Sequence, residues 1–157
     1  TLSLHDALPI WGQGEAIARN LMYMSTLKTP IISIVIGEGG SGGALAMAVA
    51  DEVWMLEHAI YSILSPEGFA SILYKDASLA SEAASDMKIT AQDLINYEVI
   101  DRIIKEPLGG AHTNVDEMSI SIKRNLEEAI VRLKREPIES LLTKRYYKFR
   151  KIGKVVE

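Results

Sequence analysis

The residues with the richest chemistry stand in one glycine step, Gly37-Glu38-Gly39-Gly40-Ser41-Gly42-Gly43-Ala44, and three chemistries fit its spacing. As Gly37-x-Gly39-x-x-Gly42 with Glu57 about 20 residues on, it matches a dinucleotide fingerprint, in which glycines admit a pyrophosphate and an acid holds a ribose hydroxyl. The segment from Gly43 to Ala50 is short and apolar on every side, whereas the crossover helix of that fold needs a wet face. As Gly39-x-Ser41-x-Gly43 the step fits a nucleophile elbow, with Glu57 or Asp76 and then His112 as the acid and base of a serine hydrolase. A serine among glycines is equally a small residue in a turn, and spacing alone does not bring His112 to it. The third chemistry uses the main chain. Glycines let another molecule come close, and the N–H groups of Gly42, Gly43 and Ala44 at a helix start form an oxyanion hole approached past Gly39, Gly40 and Ser41. A tight turn needs one glycine; the surplus favours an approaching ligand.

Other candidates carry weaker signals. Ser65, Pro66 and Glu67 follow a strand-like run and open a helix, so a cap, a proline at the first helical position and an acid in the first turn account for them, with substrate contact as the second use. Glu38 either orders the glycine step or is solvated, and His112 is a lone loop histidine. Lys144, Arg145, Lys148, Arg150, Lys151 and Lys154, interleaved with Tyr146, Tyr147 and Phe149, read as the solvated face of a terminal helix, with nucleic-acid binding as the alternative. Residues 1–111 hold 6 basic against 14 acidic side chains, so no basic groove continues from that tail.

These residues need elements to place them. Ile17, Ala18, Leu21, Met22, Met24 and Leu27 recur at helical spacing and predict an amphipathic helix from Gly14 to Lys28. Ile31 to Ile36 predicts a strand buried on both faces, and Ala44 to Ala50 an enclosed helix. Val53 to Glu57 and Ile60 to Leu64 predict two more strands. Ala77 to Asp86 is helix-prone, Thr90 with Asp93 opens a short helix by a capping box, and Val99 to Ile104 is strand-like. Beyond the Pro107 to Gly110 loop, Met118, Ile122, Leu126, Ala129, Ile130 and Leu133 form one helical stripe; Pro137 breaks it, and Leu141, Leu142 and Tyr146 predict a last helix. The fold class is α/β.

With 157 residues, 48% hydrophobic and 24% charged, the chain has the balance of one globular domain rather than of a disordered or fibrous protein. No run approaches the roughly 20 apolar residues of a membrane span. The absence of cysteine excludes disulfides, thiolate metal sites and cysteine nucleophiles, and points to a cytoplasmic setting. The start at Thr1, with no clear period through Ile10, is expected to be foreign sequence on a fragment.

Four stretches, GQGEAIARNL, PIISIVIGEGGSGGALA, YSILSPEGFASILYKDAS and PLGGAH, closely resemble the carboxyltransferase alpha subunits of acetyl-CoA carboxylase, from Gly12 to about His112. The resemblance implies a crotonase-like superhelix of β-β-α turns, partial because N-terminal turns are missing, and followed by C-terminal helices. It implies a foreign segment at 1–11, a carboxyltransferase core at 12–112 and a helical extension at 113–157. It further implies an enzyme half, inactive alone, that pairs with a beta subunit as a hetero-oligomer. Together they would move the carboxyl group of carboxybiotin, presented on a biotin carboxyl carrier protein, to acetyl-CoA. The product is malonyl-CoA, made in the first step of fatty acid synthesis by an ATP-dependent complex. Biotin is not attached to this chain, metal is left to the beta subunit, and neither membrane nor nucleic acid is an expected partner. Under this resemblance the N–H groups of Gly42, Gly43 and Ala44 stabilise the biotin ureido oxygen, while Gly39, Gly40, Ser41, Ser65, Pro66 and Glu67 contact substrate. Met47, Ala48 and Ala50 stand where the family has glycine or small residues, and Phe69 where cysteine is common.

Overall fold

The computed structural model describes residues 12–153, so the segment expected to be foreign and Lys154 lie outside the described residues. The amphipathic helix forms as α1 (Gln13–Thr26), which turns Ile17, Leu21 and Met24 inward and leaves Met22 at the surface. The chain then repeats one unit. A first turn runs β1 (Ile32–Val35), β2 (Glu38–Gly40) and α2 (Ser41–Met47); a second runs β3 (Glu52–Leu56), β4 (Ile60–Ser62) and α3 (Pro66–Leu73). After a single 3₁₀ turn come α4 (Ala80–Met87), α5 (Ala91–Asn96) and β5 (Arg102–Ile104). Two long helices follow, α6 (Val115–Lys134) and α7 (Ile138–Lys151). Among the described residues no helix is long and apolar enough to cross a membrane.

The first strands of successive turns pair in parallel in the order β1-β3-β5, and the second strands pair in parallel as β2-β4. Parallel pairing follows from the helical return between turns, which brings each new strand back in the same direction. Gly39 thereby lies beside Tyr61, and Ile34 beside Trp54. The expected β-β-α repeat is what the chain builds.

Two burial expectations are corrected. The run Ile31 to Ile36 was expected to be covered on both faces, but β1 is half-buried throughout and Ile36 is exposed. Full burial belongs to β3, whose Val53, Trp54, Met55 and Leu56 are covered because, among the described residues, it alone has a strand on either side. The enclosed helix expected through Ala50 ends at Met47, with Ala46 buried but Leu45 44% and Met47 71% exposed. A helix of two turns packed on only part of its circumference leaves its other side open, whatever its hydropathy.

The stripe on α6 holds, with Met118, Ala129 and Leu133 buried and Ile122 and Leu126 packed against the core, Ile130 falling at its margin. The face of α7 is corrected. Leu141 is buried as expected, but Tyr146 is 61% exposed and Arg145, read as part of a solvated basic tail, is only 2% exposed. Its guanidinium grips Asp51 in a fork, Nε to Oδ1 at 2.9 Å and Nη2 to Oδ2 at 2.8 Å. The remaining N–H groups donate to the carbonyls of Met24 (2.8 Å), Leu27 (3.0 Å) and Thr29 (2.9 Å). All five guanidinium donors are thus used, three of them on carbonyls at and beyond the end of α1 that the helix cannot satisfy itself. Asp51 Oδ2 also accepts the Ile31 N–H at 2.7 Å, tying the start of β1 into the same knot. Lys148 reaches Asp101, whose carboxylate accepts the Val53 N–H at 2.7 Å. Lys144 pairs with Glu136.

A second knot lies at the far ends of β3 and β5. Glu57 accepts from Lys105 and from the Glu106 N–H, while Glu106 accepts the N–H groups of His58 at 2.9 Å and Ala111 at 2.7 Å. The Lys105 hydrogen bond, with that from Glu106, holds the Glu57 carboxyl below its ordinary value against the opposing effect of desolvation.

Removing one partner of a buried, hydrogen-bonded ion pair costs about 3–5 kcal/mol, so Arg145→Met lowers unfolding free energy by roughly that amount in urea titration. Arg145→Lys does not restore it, because an ammonium cannot span Asp51 and three carbonyls at once. For Glu57 the depressed folded pKa fixes the sign: its contribution is present above the unfolded glutamate value and is lost as pH falls through the lower folded value. An NMR titration is expected to place the Glu57 midpoint below that of an exposed glutamate, and Lys105→Met to move it upward.

Candidate functional site

The glycine step is a corner without a loop. β2 runs from Glu38 to Gly40, and α2 begins at Ser41 with no residue between them. Gly40 is extended at φ −136°, whereas Ser41 sits at φ +60°, in the left-handed region that L side chains enter only at a cost. No side chain caps α2. With Gly40 as the N-cap, the N–H groups of the first helical turn have no acceptor within the helix. Gly42, Gly43 and Ala44, the three donors expected, are the second, third and fourth residues of α2.

The glycines differ in what surrounds them. A Cβ on Gly37, Gly40 or Gly43 would meet nothing within 4 Å, so packing does not demand glycine there and the main chain stays open to approach. Gly42 rests on Ile17 of α1, where a Cβ would find ordinary contact at 3.6 Å. Gly39 is different: a Cβ would lie 3.1 Å from both Tyr61 Cδ2 and Val35 Cγ1. A cavity of about 200 Å³ adjoins the corner, with Ser41, Gly42 and Leu45 on one side and Tyr61, Leu94 and Val99 on the other. Tyr61 was missed from the sequence, since only the β2–β4 register reveals that it faces Gly39. Burial pushes its phenol pKa up, so the ring stays neutral through the physiological range.

The rival chemistries lose their geometry. Glu38, Gly39 and Gly40 are strand rather than turn, and Glu57, the expected ribose-binding acid, is bonded to Lys105 and Glu106 at the end of β3. Ser41 does occupy a strained strand-to-helix corner, as a nucleophile would, but no histidine or carboxylate lines the cavity beside it. Asp76 instead caps the Ser78 N–H at 2.9 Å, and His112 lies against Gly110 in a 3₁₀ turn. The basic tail is not a free strip, since Lys144, Arg145 and Lys148 are spent on acids of this chain. Ser65 accepts the Gly68 N–H at 3.2 Å, Pro66 opens α3 and Glu67 lies in its first turn. That is capping, and none of the three lines the cavity. Phe69 is taken up by an edge-to-face contact with Tyr74 at 6.0 Å. Glu38 is exposed.

The arrangement is thus an apolar cavity beside a helix start that no side chain caps. A family model described as acetyl co-enzyme A carboxylase carboxyltransferase-like matches residues 10–153. The acetyl-coenzyme A carboxylase carboxyl transferase subunit alpha of Clostridium acetobutylicum is 62% identical over 146 residues, which is 93% of this chain and 53% of that protein. The subunit of the same description from Clostridium perfringens is 63% identical over 141 residues, 90% of this chain and 52% of that one. The chain spans about half the length of these relatives. Among solved structures, a Pseudomonas malonate decarboxylase hetero-tetramer in complex with coenzyme A superposes with TM-score 0.69 at 16% identity, covering 96% of this chain and 61% of that one. Transcarboxylase 12S with methylmalonyl-coenzyme A bound gives TM-score 0.64 at 18% identity, over 83% of this chain and 26% of that one. The structural likenesses support the crotonase-like fold, and the sequence match across all the described residues places the chain in the acetyl co-enzyme A carboxylase carboxyltransferase-like family.

Proposed function

We propose that this chain supplies the biotin-facing half of a carboxyltransferase centre. Paired with a beta subunit, it moves the carboxyl group of carboxybiotin, presented by a biotin carboxyl carrier protein, to acetyl-CoA and so yields malonyl-CoA for fatty acid synthesis in the cytoplasm. The observation that carries this reading is the family match across residues 10–153, which includes the whole glycine step, together with identities above 60% to named alpha subunits.

The corner suits the group it would receive. Biotin, when bound, supplies the carboxyl group and a ureido oxygen that gathers negative charge as that group leaves. Gly42 and Gly43 offer main-chain N–H groups at a fixed helix start, with no side chain in competition. Gly40 and Gly43 leave open space for close approach, and Ser41, Leu45, Tyr61 and Leu94 wall an apolar volume in which a flat ring can lie. Donors held in place beforehand need no reorganisation as charge develops, and one such donor lowers a barrier by about 3–4 kcal/mol in a water-poor site. No side-chain base is required of this half: holding reacting groups in place and stabilising charge are the tasks of the residues present. The Ser41 side chain is a wall and not a nucleophile, since the cavity offers it no base.

The test is malonyl-CoA-dependent carboxylation of a free biotin derivative by the full-length alpha subunit carrying this sequence, mixed with its beta subunit. Turnover is expected only when both subunits are present. Loss of a true nucleophile costs about a millionfold in kcat, whereas Ser41→Ala is expected to stay within about tenfold of the parent. A folded, assembled complex without turnover defeats the reading, and a Ser41→Ala collapse defeats the main-chain mechanism.

A further inference from the structure

We propose that Tyr61 is a positioning residue for the glycine step: its ring, seated in the slot that Gly39 leaves, sets where the Gly42 and Gly43 N–H groups stand. The inference rests on the carboxyltransferase reading above. Gly39 and Tyr61 are register partners of the β2–β4 pair, and partners in a parallel pair project to one face. The Tyr61 ring and Val35 already fill the space a Gly39 side chain would take, at 3.1 Å each from an added Cβ, against about 3.5–4.0 Å for ordinary carbon contact. Any added atom there must push the strand or the ring aside.

A push at Gly39 has only Gly40 and Ser41 to cross before it reaches the donors, because no loop separates β2 from α2. Gly40 is the N-cap, and Ser41 is both the first residue of α2 and the left-handed corner, so a displaced β2 displaces the helix start unless these two residues absorb it. On its other side the step is held by Ile17 of α1 against Gly42. The corner is thereby clamped between α1 and Tyr61, and the same ring forms a wall of the adjoining cavity. Burial alone perturbs the Tyr61 phenol, with no hydrogen bond to a described residue contributing. The atom that meets Gly39 is the ring carbon Cδ2, so the ring, not the hydroxyl, is what holds the step.

The test uses the full-length alpha subunit assembled with its beta subunit in the biotin-carboxylation assay. Misplacement by a fraction of an ångström is expected to lower kcat by about tenfold to a hundredfold in Tyr61→Ala and in Gly39→Ala, with the malonyl-CoA KM held within about twofold. Tyr61→Phe, which keeps the ring, is expected to restore kcat to within about threefold of the parent. Because both residues act on one contact, the loss in the double variant is smaller than the product of the single losses. Parent-like kcat in Tyr61→Ala, equal damage in Tyr61→Phe, or losses that multiply each overturn the proposal. If Tyr61→Ala does not assemble with the beta subunit, Gly39→Ala decides, and parent-like kcat in it overturns the proposal. A parent complex without turnover overturns instead the carboxyltransferase reading on which the proposal stands.

Discussion

The structure turns on one buried guanidinium. Arg145 joins the end of α1, the approach to β1, the acid that precedes β3 and the helix α7. A charge this deep is tolerable only because each of its donors is met and its partner Asp51 is met in turn by the Ile31 N–H. The fork shape matters as much as the charge. A carboxylate and three carbonyls disposed around one plane define where α7 must lie, so the pair acts as a register pin for the helix as well as a source of binding. Since α1 also carries Ile17, which rests on Gly42, the same pin bears indirectly on the glycine corner.

The corner itself shows how a short element can hold main-chain donors steady. α2 spans only seven residues and has no capping side chain, so it cannot owe its place to helix propensity. It is set instead by what abuts it: strand β2 runs straight into it, α1 packs across it, and the neighbouring turn of the repeat presents Tyr61. No loop lies between strand and helix, and no side chain caps the helix start.

Much of this was legible in the residues. The spacing of Ile17, Leu21 and Met24 marked α1, the Thr90–Asp93 box marked α5, and the β-branched run before the glycines marked a strand, because those signals are local and depend on period or on caps. The glycine step was legible as a place of approach because its glycines outnumber the needs of a turn. Less legible was everything set by which strand lies beside which. Hydropathy alone could not tell that β1 takes the edge and β3 the middle, nor that the apolar run after the step would stop at Met47 with two side chains in the open. Arg145 was hidden for the same reason: among five other basic residues of the tail it looks like a solvated charge, and only Asp51, 94 residues away, makes it otherwise. Tyr61 was hidden by register.

The span of that guanidinium also bears on how the chain is made. Its bond to the Met24 carbonyl crosses 121 residues, and the β1–β3–β5 ladder beneath it is non-local as well. At about 5–20 residues per second, on the order of ten seconds separate the emergence of α1 from that of its partner. Through that interval Asp51 is a carboxylate without its cation, and the end of α1 has carbonyls that nothing but water can satisfy. Early docking of α1 onto the half-made sheet is therefore disfavoured until α7 arrives. The last helix described becomes the latch that makes the earlier turns permanent.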